Sequence, residues 1–187
     1  MTTASIIISI VFIICLTAPV ATRSVGLITA DDKPLRAWLI PMMFGVNQGL
    51  AAMLGMGLGR LFAHMITYIA EYMVFAMMLV VAVKMFVDSI RILKGRMLYT
   101  ISNDTQLALL SIISSINTML MSLMGSYFMP FGNLFIVAVT VAGFLWSFLI
   151  IRREFTPGMI KKLSFIEFSA SIFMLIIAIL YLFTDLI

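Results

Sequence analysis

Six apolar stretches, each long enough to cross a bilayer and separated by short polar links, leave this chain one kind of environment in which to fold. They run Ala4–Thr22, Ala37–Phe62, Ile69–Ile90, Leu107–Met129, Leu134–Ile151 and Leu163–Phe183. A spanning helix needs about 20 mostly apolar residues, so six take up roughly 120. In a chain of 187 residues only short links remain. Charged residues make up 11% of the chain, against about a quarter in a soluble domain whose surface must be hydrated. The expected fold is an all-α integral membrane protein with six transmembrane helices, forming a single transmembrane domain over 1–187 with the lipid bilayer as its main partner. No stretch is left for a separate catalytic head.

The links set the topology. The first, Arg23 to Arg36, holds Arg23, Lys33 and Arg36; the third, Arg91 to Gln106, holds Arg91, Lys94 and Arg96; the fifth, Arg152 to Lys162, holds Arg152, Arg153, Lys161 and Lys162. The two remaining basic residues are Arg60 and Lys84. Cytoplasmic links carry the excess of lysine and arginine, so links one, three and five are expected inside and both termini outside, in the bacterial inner membrane. The same distribution accounts for the net charge of +4 without any nucleic-acid partner. The first stretch lacks a basic leading region and a small-residue cleavage site, and reads as a retained helix rather than a signal peptide. The lone cysteine, Cys15, lies inside it and says nothing about redox compartment.

Three spans before the basic middle link and three after it would run in opposite senses, the layout of an inverted-topology repeat. The halves are about 1–95 and about 105–187. Each opens with an apolar helix bearing a small polar residue, Thr17 in one and Asn117 in the other.

Polar residues inside the spans mark a candidate pathway: Thr17, Asn47, Gln48, Ser114, Asn117 and Thr118, with Ser115 beside them. Amides and hydroxyls turn away from lipid when an interior partner is available, so these groups are expected to hydrogen-bond between helices or to line a polar path near mid-depth. Charges within spans are few. Lys84 and Asp88 stand i, i+4 on one helix face and form a candidate intramembrane ion pair. Glu71 and Glu167 are placed where they can reach an interface, so no carboxylate is expected deep in the membrane.

Ala51, Gly55 and Gly59 form small-xxx-small steps that would let span two pack closely, with Gly45, Gly49 and Gly57 nearby. The 17 methionines, among them Met53, Met56, Met77, Met78, Met119, Met121 and Met124, include the soft ligands Cu(I) favours. Scattered without a motif, they read as flexible core filler. There is no phosphate loop, no histidine pair (His64 is alone) and no nucleophile with a base. No catalytic residue, resident metal or cofactor is expected, and no enzymatic activity.

Three segments resemble the MntP-type manganese exporters, relatives of the lysine-exporter superfamily. One is Leu35–Gly59, with Phe44-Gly45, Asn47-Gln48 and Gly55-Met56-Gly57-Leu58-Gly59. Another, Lys84-Met85-Phe86-Val87-Asp88, is similar to that family's basic-Met-x-x-acidic segment. The third, Ser114-Ser115-Ile116-Asn117-Thr118-Met119, is similar to its Thr-Ser-Leu-Asp-Ala-Met. The resemblance implies six helices, inverted halves, outward termini and ion transport. It also implies acidic residues where this chain carries Thr17, Gln48 and Asn117. A hard dication leaving water needs anionic oxygens to offset its charge; amide oxygens coordinate but do not neutralise. The expected function is therefore a divergent transporter of unknown substrate with a neutralised cation site. The alternatives are a non-transporting structural or regulatory subunit of a larger membrane complex, and a manganese or other divalent-cation exporter. Integral membrane partners or a homo-oligomer would suit the apolar outline.

Overall fold

A computed structural model of the chain describes residues 3–25, 34–66, 69–94, 104–124, 133–152 and 157–184. Its helices are α1 (Thr3–Val25), α2 (Pro34–Ile66), α3 (Ala70–Leu93), α4 (Asp104–Leu123), α5 (Asn133–Ile151) and α6 (Pro157–Thr184). All six are long and apolar enough to cross a membrane, and no strand occurs among the described residues. Such helices keep every backbone hydrogen bond internal, as hydrocarbon requires. Several of their ends lie further out than apolarity alone marked them. Helix α2 takes in Ala63 and His64, α1 takes in Arg23, α3 takes in Arg91 and α6 takes in Lys161 and Lys162. Helices continue through polar residues wherever side chains can reach water or a partner. The stretch from 125 to 129, expected to finish the fourth span, lies outside the described residues.

Neighbours in sequence are not the main neighbours in space. Helix α2 packs against α4 and α5, α3 against α6, and α1 against α5 and α6, with smaller contacts of α4 on α1 and α3. Exchanging α1 with α4, α2 with α5 and α3 with α6 turns this set of contacts into itself. Two halves related by a twofold axis would produce that closure.

The glycines of α2 serve two faces. A Cβ at Gly55 or Gly59 would run into the carbonyl oxygens of Met119 and Leu123 on α4. At Gly45 it would meet Phe144 Cβ at 3.0 Å, and at Gly49 the Thr140 hydroxyl, both on α5. Gly57 faces open space. Gly55 and Gly59, two steps of the expected stripe, thus share the face that meets α4, while Gly45 and Gly49 serve a second face against α5. On α5, Gly143 returns the favour, with room beside it only for the side chain of Gln48.

The core is unequal along the membrane normal. Phe12, Val74, Met78, Met121, Met124, Phe135 and Met174 are fully buried in one apolar cluster. In an up-and-down bundle these positions fall on the side of links two and four. The methionines there act as filler, as their scatter predicted. Buried polar groups gather at mid-depth and towards links one, three and five.

Candidate functional site

The polar centre is assembled from five of the six helices. Thr17 on α1, Gln48 on α2, Lys84 on α3, Asn117 on α4 and Glu167 on α6 each lie within about 5 Å, along their own axes, of the middle of their spans. Thr17, Gln48, Asn117 and Glu167 are at most 1% exposed; Lys84 is half-buried.

Each sequence-marked polar residue has a definite place. Thr118 donates a short hydrogen bond to Gln48 Oε1, and Gln48 Nε2 donates to the Ser114 carbonyl at 3.3 Å. Asn47 Nδ2 donates to the Ser111 hydroxyl. Together these bonds tie α2 to α4. Ser115 satisfies itself on the Ile112 carbonyl at 2.8 Å. Thr17 likewise turns back on its own helix, to the Ile13 carbonyl at 2.8 Å. Thr17 therefore lies in the centre without bonding across it, whereas the two amides of α2 bridge helices. Three buried polar atoms among the described residues are left without a protein partner: Arg23 Nη1, Ser114 Oγ and Asn117 Nδ2.

Lys84 and Asp88 share a helix face, but each finds its partner on another helix. Lys84 Nζ donates to Asn117 Oδ1 at 2.6 Å, and Asp88 accepts from Arg23 Nη2 at 3.3 Å. An i, i+4 pair on a helix surface must compete with interior partners, and here the interior ones prevail. Arg23 corrects a second expectation. It belongs to the buried end of α1, 7% exposed, rather than to a hydrated link. The remaining basic residues of links one, three and five keep the same side favoured.

Glu167 corrects a third. It does not reach an interface: it is 1% exposed, held at 2.7 Å by the Thr22 hydroxyl, with Arg23, Asp88 and Lys84 in electrostatic range. Glu71 alone among the four is exposed. The expectation failed because the span was started at Leu163, which put Glu167 in its first turn; α6 starts at Pro157. A signal was present in the spacing. Ser164, Glu167 and Ser171 stand at i, i+3, i+7, and all are buried. Smaller polar ties continue towards the links: Ser24 donates to Ser147 at 3.0 Å, and Ser164 donates to the Ser89 carbonyl at 2.7 Å.

The centre thus holds two carboxylates, Asp88 and Glu167, and two bases, Arg23 and Lys84. Its formal charge is zero when all four are ionised. Among the described residues, no three of histidine, cysteine, aspartate and glutamate come together as metal ligands.

Spanning helices closed around a buried, charge-bearing polar cluster define a polytopic membrane protein of transporter type, because charges so placed are retained where something must be bound or moved. The sequence profile of the family described as "Putative manganese efflux pump" matches residues 33–179. The chain belongs to that family. Comparison with curated proteins and with solved structures gave no match.

Proposed function

We propose that this chain is a membrane transporter whose centre is balanced in charge by its own side chains, and whose substrate carries less charge than a bare divalent cation. The observation that carries this is the contact of Lys84 Nζ with Asn117 Oδ1 at 2.6 Å. An amide oxygen at mid-depth, available in principle to a metal, is engaged by a cation tethered to the protein. The other base, Arg23, occupies Asp88. A dication entering this centre would raise its charge to two positive units, in surroundings where uncompensated charge is heavily penalised. The two halves, about 1–95 and about 105–187, would rock about the shared centre. The methionine and aromatic cluster would close the side of links two and four.

Manganese export is the second reading, favoured by family membership. Cells with and without the chain separate the two: manganese tolerance and cellular manganese content are expected to be unchanged. Higher tolerance with lower content, lost on removing the gene, would establish manganese export instead. A further arm introduces Thr17→Asp, Gln48→Glu and Asn117→Asp together. Three added carboxylates leave the centre with negative charge in excess and are expected to confer manganese efflux. A folded but inert triple variant would count against a pathway through these residues.

A further inference from the structure

Thr22 has one hydroxyl proton and two acceptors. Its Oγ1 lies 2.9 Å from the Pro19 carbonyl oxygen on its own helix and 2.7 Å from Glu167 Oε2 across the α1–α6 interface. A hydroxyl donates one hydrogen bond at a time and can accept others. The proton on Thr22 therefore cannot satisfy both oxygens. If Glu167 is ionised, Thr22 donates to the carboxylate and the Pro19 carbonyl loses that bond. If Glu167 carries a proton, the carboxylic acid donates to Thr22 Oγ1, and the hydroxyl proton turns to Pro19.

We propose that Glu167 is a proton-binding site in the membrane interior, and that Thr22 transmits its protonation state to the proline hinge of α1. The proposal rests on the transporter reading and assigns it a coupling ion. Two further observations single out Glu167. Asp88 is paired with Arg23, whereas among the described residues no basic nitrogen lies within salt-bridge distance of Glu167. Its direct partner, Thr22, is neutral. The groups facing it are Thr22 and Arg23 from α1 and Lys84 and Asp88 from α3; on its own helix Lys161 and Lys162 are exposed. A carboxyl 1% exposed is far less costly to bury neutral than ionised.

The hinge gives the proton something to move. Pro19 lies inside α1, and with no N–H it leaves the Cys15 carbonyl without its helical donor, a common origin of kinks. A hydroxyl that bonds back to the preceding turn also bends a helix, and here that bond is made or released with the proton. Uptake of the proton also leaves the centre one positive charge in excess, so a proton and a cationic substrate would exclude each other.

The test is infrared difference spectroscopy of the purified protein, which reports protonated carboxylic acids directly and needs no substrate. Wild type is expected to show a titrating carbonyl band, and Glu167→Gln to lose it while keeping its helix content and its size in detergent. Thr22→Val is expected to keep the band but move both its frequency and its titration midpoint, because the bonded hydroxyl is gone. A full band in Glu167→Gln, or no titrating band in wild type, overturns the proposal. Should Glu167→Gln fail to fold, Thr22→Val carries the test, and an unmoved band overturns it. A titrating Glu167 in vesicles that dissipate no imposed manganese or monovalent-cation gradient would remove the transporter reading while leaving the proton site standing. Gradient dissipation with no titrating carboxyl would do the reverse.

Discussion

Arg23 and Asp88 show how a single pair can decide where a helix ends. Arginine at the edge of an apolar stretch reads as the start of a link, and here it turns inward because a carboxylate waits on α3. Removing one partner leaves the other buried and uncompensated, which costs about 3–5 kcal/mol. Arg23→Met and Asp88→Leu are each expected to lower the thermal stability of the detergent-solubilised protein. The double variant should recover most of the loss, since a well-packed apolar pair replaces a buried ion pair at little net cost. Additive losses in the double variant would show that the two residues act separately. Glu167 belongs to the same scale. Its depth was legible only in the Ser164, Glu167, Ser171 spacing.

At the scale of the element, α2 is the helix on which others are built. Its apolar character promised a span, and its glycines promised close packing, but which glycine meets which neighbour depends on how α4 and α5 flank it. Gly59→Ala must push α2 away from the backbone of α4 and is expected to destabilise the protein clearly. Gly57→Ala meets nothing and should be neutral or slightly stabilising, as alanine favours helix by up to about 1 kcal/mol over glycine. Gly49→Ala offers a repair. Its clash is with the Thr140 hydroxyl, and the next atom, Thr140 Cβ, stands at 3.4 Å, so adding Thr140→Ala should restore most of the lost stability. Melting temperatures of the four variants in one detergent check the set; equal effects at Gly57 and Gly59 would contradict the packing.

Across the whole molecule, the bundle has two unlike ends. Arg152 lies 4.2 Å over the Phe148 ring and 5.6 Å over Trp38, at the ends of α5 and α2 that carry links five and one. Cation and aromatic groups gather in this way at membrane interfaces. The excess of basic residues in its links makes that end the one expected in the cytoplasm. Cys15 is buried, so an introduced thiol can report sidedness without a competing signal. Lys94→Cys is expected to react with an impermeant maleimide only after the membrane is opened, and Asn133→Cys from outside intact cells. The opposite result would invert the molecule and place the polar centre towards the exterior.

Composition and spacing were enough to set the helix number and the membrane environment, because lipid leaves the backbone no other way to satisfy itself. They also marked Gln48, Asn117 and Thr118 as interior. Partnership was another matter. Lys84 meets Asn117 rather than Asp88, Arg23 is interior rather than hydrated, and Glu167 sits at mid-depth beside Thr22, a hydroxyl 145 residues away in the chain. Contacts of that kind depend on which helices lie side by side, and nothing local to a residue encodes its neighbour's neighbour.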